Sequence, residues 1–227
     1  LAPRSAKPVG IDVDAGRHVS GLLQMPAGAK CCYVLAHGAG AGMAHPFMAA
    51  VADELAERSI ATLRYQFPYM EQGGKRPDPP ALAQATVRAA VAKANEIARG
   101  LPLIAGGKSF GGRMTSQAQA AAPLEGVRGL AFLGFPLHPA GKPSVDRAKH
   151  LAEVKVPMLF LQGTRDTLAD LTMLKPMVAG LGERATLRLF DEADHSFHVP
   201  ARTGRKDAEV RREMHDAFVA WAEKVTA

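Results

Sequence analysis

A serine becomes a strong nucleophile only where the chain exposes its hydroxyl at a sharp turn and brings a base to it. Gly107-Lys108-Ser109-Phe110-Gly111 has the G-x-S-x-G pattern of such a turn, following the apolar run Leu103-Ile104-Ala105 and preceding a helix-compatible stretch. The serine must take a strained conformation there, so the residues two before and two after it must be small, as Gly107 and Gly111 are. The turn also sets Ser109 at a helix N-terminus, where free N–H groups favour developing negative charge. A rival reading takes Gly107-Lys108-Ser109 as the tail of a phosphate-binding loop. That loop needs glycine where Pro102 stands, and Leu103, Ile104 and Ala105 read as strand, which removes it.

Serine needs an imidazole to take its proton and a carboxylate to hold the imidazole's tautomer and charge. After the strand-like Met158 to Gln162 comes Gly163-Thr164-Arg165-Asp166, and after Leu187 to Phe190 comes a loop with His195. Ser109, Asp166 and His195 each stand just beyond a predicted strand, with Asp170 and His198 as the competitors. The turn His37-Gly38-Ala39-Gly40-Ala41-Gly42, also at a strand end, can offer a second oxyanion N–H beside that of Phe110. Either Ala39 or Gly40 supplies it, and His37 reads as structural.

The elements that would position these groups alternate along the chain. Residues 17–25 and 31–36 read as two strands of a hairpin joined by Pro26-Ala27-Gly28 after a polar start. A helix from Pro46 to about Arg58 carries Phe47, Val51 and Leu55 on one face, and residues 60–65 return as a strand. Residues 66–80 form a Pro- and Gly-rich loop whose Phe67, Tyr69 and Met70 line a substrate site or pack on the core. Helices at about 81–99 and 111–122, strands at 103–105, 129–133, 157–162 and 185–190, a helix through Leu171 and Leu181, and a closing helix through Val210 and Val225 complete the series. Continuously apolar strands alternating with helices predict an α/β fold: a mostly parallel, doubly wound sheet with an antiparallel N-terminal strand and helices on both faces. Ligands of such sheets bind beyond the carboxyl ends of the strands.

With 227 residues, 47% of them hydrophobic, one domain over 1–227 is expected. No run nears the ~18 apolar residues of a membrane span, and Leu1 to Lys7 lack the apolar stretch of a secretory signal. The cysteines, Cys31 and Cys32, adjoin on one strand and point to opposite faces, which excludes a framework disulfide or a zinc cluster and fits a reducing, cytoplasmic compartment. No cofactor or metal is expected. The net charge of +6 is interspersed with acidic residues and lacks an aromatic stacking array, so no nucleic-acid or membrane partner is expected, only a small-molecule acyl substrate.

From His37-Gly38-Ala39-Gly40 through Gly106 to Arg113, Gly134-Phe135-Pro136-Leu137-His138-Pro139, Gln162 to Asp166 and Asp194-His195-Ser196-Phe197, the chain resembles small α/β-hydrolases. It is most similar to the dienelactone-hydrolase-like group and to a related hydrolase-like family that also occurs in a chromatin-associated acetyltransferase complex. The resemblance implies an α/β-hydrolase fold and a Ser109-His195-Asp166 triad. Dienelactone hydrolases proper have a cysteine nucleophile where this chain has Ser109, so lactone specificity does not carry over. The segment from Gly134 to Val156 is too short for a large cap domain. Gly40, Lys108, Tyr69 and His138 are the candidate substrate-binding residues, with Lys108, Arg113 and His138 able to attract an anionic substrate. The expected activity is esterase-like cleavage of a small ester or thioester; the alternative is a non-catalytic interaction module of the same fold.

Overall fold

The computed structural model describes residues 6–227, and residues 1–5 of the segment read for a secretory signal lie outside the described residues. Among the described residues eight strands form one sheet: β1 (Lys7–Asp14), β2 (Arg17–Gln24), β3 (Cys31–Ala36), β4 (Ile60–Tyr65), β5 (Leu103–Lys108), β6 (Val127–Leu133), β7 (Met158–Gly163) and β8 (Ala185–Phe190). Their order is β1-β2-β4-β3-β5-β6-β7-β8. Only β2 runs against the rest, antiparallel to both β1 and β4.

The expected hairpin of residues 17–25 with 31–36 does not form. β2 pairs with β4, Gly21 opposite Tyr65, while β3 lies between β4 and β5. All six side chains of β3 are buried, a burial that only an interior strand covered on both faces provides. The chain instead opens on a β1–β2 hairpin, whose turn is held by the Asp14 carboxylate accepting from the Gly16 N–H at 3.2 Å and from Arg17 at 2.9 Å. β1 escaped the sequence pattern because it is an edge strand carrying Pro8 and Gly10, with Ile11 its one buried residue.

Period-two alternation sorts the strand side chains between two cores. Cys32, Val34 and Phe160 face one side, and Cys31, Tyr33, Leu159 and Leu161 the other. The first side is covered by α3 (Pro80–Ile97), α4 (Phe110–Ala121) and α5 (Leu171–Gly180), the second by α1 (Pro46–Ala56) and α6 (Asp207–Thr226). Each fully buried Leu, Val or Phe contributes roughly 1.5–3 kcal/mol, so the layers are stable supports for the loops above them. Both cysteines are free, on opposite faces, their thiols pushed up to about 12 by burial.

The loop over residues 66–80 contains a short helix, α2 (Pro68–Glu71), and buries Phe67 and Tyr69. Between β6 and β7 stands a single 3-10 helix, Asp146–Glu153, and no cap domain. Among the described residues no helix is long and apolar enough to cross a membrane.

Candidate active site

Between β5 and α4 the backbone turns at Ser109 with φ 49° and ψ −115°, a conformation that disfavours any side chain by about 1–3 kcal/mol. The flanking glycines answer to the neighbouring strand. A Cβ on Gly107, where φ is 148°, would lie 2.2 Å from the Ala36 carbonyl oxygen. One on Gly111 would lie 2.5 Å from that of His37. Backbone contact between β3, β5 and α4 therefore demands both glycines.

His195 reaches Ser109 from the loop after β8. Its Nε2 lies 2.9 Å from Ser109 Oγ and its Nδ1 2.6 Å from Asp166 Oδ2. With a carboxylate facing Nδ1, that nitrogen carries the hydrogen and Nε2 presents a lone pair to the serine hydroxyl. The Asp166 carboxylate is fully buried; Gln162 Nε2 donates to its Oδ2, and the Leu168 N–H donates to Oδ1 at 2.8 Å. Gly163 lets the histidine loop cross the end of β7, since a Cβ there would stand 2.3 Å from the Ala193 carbonyl oxygen. The loop is tightened by Asp194, whose carboxylate accepts from the N–H groups of Ser196 and His198 at 2.7 and 3.0 Å. The competitors are engaged elsewhere: Asp170 caps α5 through the Thr172 N–H, and His198 pairs with Asp207.

Lys108 ties the two halves together by donating from Nζ to the His195 carbonyl at 2.7 Å, with the Phe197 ring centroid 5.9 Å away. Burial pushes its ammonium down to about 8, partly offset by Asp166 and Asp194.

A pocket of about 420 Å³ opens over Ser109 and His195, with Gly38, Ala39 and Lys108 in its wall. Of the residues read as substrate-binding, only Lys108 lines it. Gly40 donates its N–H to the Tyr69 hydroxyl at 3.3 Å, and Tyr69 is buried behind that turn. His138 is a structural pin: its Nδ1 donates to the Pro139 carbonyl at 2.9 Å and its Nε2 accepts from the Asp170 N–H at 2.9 Å. Arg113 is absent from the wall; burial lowers its pKa, and the charge of Arg147 lowers it further. The expected cluster of anion-attracting groups is thus reduced to Lys108. Sequence reasoning missed His45, Phe47 and Met48, at the start of α1, and Leu168 and Ser196. The signal was available for the first three, because α1 begins beyond the carboxyl end of β3.

Phe110, the first residue of α4, has an N–H with no partner within the helix. Among the described residues no group of three or more His, Cys, Asp or Glu side chains could hold a metal ion.

A family model described as an alpha/beta hydrolase domain matches residues 29–223. Among solved structures, the chain is similar to a lidless α/β serine hydrolase from Xanthomonas campestris, with TM-score 0.74, 20% identity and 97% of each chain covered. It is similar to a dienelactone hydrolase from Anabaena variabilis, with TM-score 0.75, 20% identity and 99% of this chain and 100% of the other covered. An esterase domain from Rhodothermus marinus gives a TM-score of 0.75 at 15% identity, over 98% of this chain and 99% of the other.

Proposed function

The chain belongs to the alpha/beta hydrolase domain family, and from that premise we propose that it is a cofactor-independent serine esterase, residues 1–227 acting as one domain. The observation that carries this reading is the unbroken hydrogen-bonded chain from Ser109 through His195 to buried Asp166 at the floor of a pocket. As Ser109 Oγ adds to the substrate carbonyl carbon, its proton passes to His195 Nε2, and the carbonyl π electrons move onto oxygen. The N–H groups of Ala39 and Phe110 hold that oxyanion; losing one such donor costs about 3–4 kcal/mol. Asp166 stabilises the imidazolium. His195 then protonates the leaving alkoxide as the C–O bond breaks, and water, activated by the same imidazole, releases the acid from the acyl-enzyme.

The walls of Ala39, Phe47, Met48 and Leu168 are apolar, and Lys108 is committed to the His195 carbonyl. The acyl group is therefore uncharged and of a size that a pocket of about 420 Å³ admits, carried as an ester or thioester. Two free, buried cysteines fit a reducing compartment, and we place the enzyme in the cytoplasm.

A fluorophosphonate probe and a series of p-nitrophenyl esters from acetate to octanoate test the proposal. Labelling and turnover of the short esters are expected, both abolished in Ser109→Ala. Absence of labelling with absence of turnover would overturn it.

A further inference from the structure

Ala39 contributes to the proposed site only a backbone N–H, and a backbone N–H serves an oxyanion only if its peptide plane is turned the right way. A trans peptide holds its C=O and N–H on opposite sides, so whatever holds the Gly38 carbonyl also aims the Ala39 N–H. That carbonyl is held three times. His37 Nδ1 donates to it at 2.8 Å, the Ala41 N–H at 3.4 Å and the Tyr69 hydroxyl at 3.5 Å. His37 is fixed in turn, because its Nε2 accepts from the Phe67 N–H at 3.1 Å and burial pushes its pKa down to about 4, leaving a neutral ring with its hydrogen on Nδ1. Tyr69 performs a second task with the same oxygen. It accepts the Gly40 N–H at 3.3 Å, which removes the competing donor from the pocket.

The geometry points to Tyr69 as a positioning residue that locks the Gly38–Ala39 peptide with the Ala39 N–H toward Ser109 and withdraws Gly40. The inference rests on the hydrolase reading above and deepens it by naming what prepares the oxyanion donor. Tyr69 suits the task because it is held on several sides. Its ring is buried, packs 6.0 Å from the His37 ring and is anchored by its own N–H donating to the Asp78 carboxylate at 3.1 Å. The turn sits close over the elbow: a Cβ on Gly38 would be 3.7 Å from that of Ser109. With the peptide reversed, the Gly38 oxygen would face the reacting carbonyl and repel the charge it develops, while His37 and Tyr69 would lose their acceptor. Residues 66–80 thus act from behind the pocket wall.

The test is Tyr69→Phe, which keeps the ring and removes the oxygen. Because the oxyanion forms only after Ser109 has added, the loss belongs to the transition state. We expect kcat to fall about tenfold to a hundredfold, less than the 10²–10³ of deleting a donor outright, with KM within about twofold. Affinity for a trifluoromethyl ketone, whose hemiketal with Ser109 carries the same oxyanion, should fall by the same factor as kcat/KM. Asp78→Ala, which loosens the Tyr69 backbone without touching the ring, should give a smaller loss of the same pattern and serves where Tyr69→Phe does not fold. Unchanged kcat, or a rise in KM with ketone affinity unmoved, would overturn the assignment. A wild-type protein inert to esters and to fluorophosphonate would defeat the hydrolase reading instead. The lock is then judged by amide NMR, where Tyr69→Phe must shift the Ala39 and Gly40 resonances and their constancy overturns it.

Discussion

Replacing Asp166 with asparagine keeps the shape of the side chain and removes its charge, and the surrounding donors decide how the amide settles. In the native site Oδ2 accepts from His195 Nδ1 and Gln162 Nε2, and Oδ1 accepts from the Leu168 N–H. An asparagine has one acceptor oxygen. Placed at the Oδ2 position, it keeps two donors satisfied and sets its NH2 against the Leu168 N–H alone. Reversed, it sets NH2 against both His195 and Gln162, drives the hydrogen of His195 to Nε2 and leaves no base for Ser109. Each arrangement leaves one donor facing the NH2, the Leu168 N–H in the first and Gln162 Nε2 in the second, at about 1–3 kcal/mol of stability either way, and only the first preserves the productive tautomer. What is lost is the attraction of carboxylate for imidazolium. For charges about 4 Å apart at an effective dielectric of about 20 this is roughly 4 kcal/mol, or about 10³ in kcat. Steady-state kinetics on p-nitrophenyl butyrate, with the fold checked by urea denaturation, measures it. A folded Asp166→Asn protein with kcat within tenfold of wild type would refute the role given to Asp166.

Three further outcomes follow from the same contacts. Gly107→Ala places a methyl 2.2 Å from the Ala36 carbonyl oxygen at φ 148° and should destabilise the protein by about 4 kcal/mol or more; a urea midpoint giving less than about 1 kcal/mol contradicts the backbone-contact argument. Lys108 has its ammonium lowered to about 8 from 10.5, so between those values the unfolded chain binds the proton that the folded chain has released. Wild-type stability should therefore rise with pH across that window, by about 2–3 kcal/mol relative to Lys108→Met, and parallel pH profiles for the two proteins would exclude it. Leu168→Ala enlarges the pocket and should move the preferred acyl chain up by one or two methylenes, each about 0.8 kcal/mol in kcat/KM, with kcat on acetate near wild type; an unchanged chain-length profile removes Leu168 from the acyl site.

The parts of this molecule legible in its sequence are those where a chemical requirement and a backbone requirement coincide. Ser109 between glycines, and Asp166 and His195 past apolar strands, could be named because few other positions allow the residue types that such chemistry needs. The structure brings those three within hydrogen-bond distance. The β2 partner was not legible, because a Pro-containing connection closes a hairpin or crosses to another strand with equal ease. Only the burial of β3 on both faces, a property of the finished sheet, decides it. Tyr69 and His138 stand outside the pocket wall for a related reason. Both stand at strand ends, where pocket-lining residues belong, yet their polar atoms are spent on backbone groups of adjoining turns. Sequence position locates the rim of the sheet; it does not separate the layer that meets the substrate from the layer behind it.

That separation has a consequence for how such a site can change. Ser109 and His195 are fixed by backbone approaching backbone, at Gly107 and Gly111 against β3 and at Gly163 against the histidine loop, where one added carbon would displace a strand. The pocket wall is made of side chains, Phe47 and Met48 from the first turn of α1 and Leu168 from the loop after β7. These side chains can be exchanged for others of different volume without moving the elements that carry them. Tyr69 and His37 occupy the layer between, where an alteration touches neither the acyl group nor Ser109 directly, only the direction of one N–H. Substitutions in the three layers should therefore separate by measurement: the glycines in stability, the wall in KM and chain-length preference, and the intermediate layer in kcat alone.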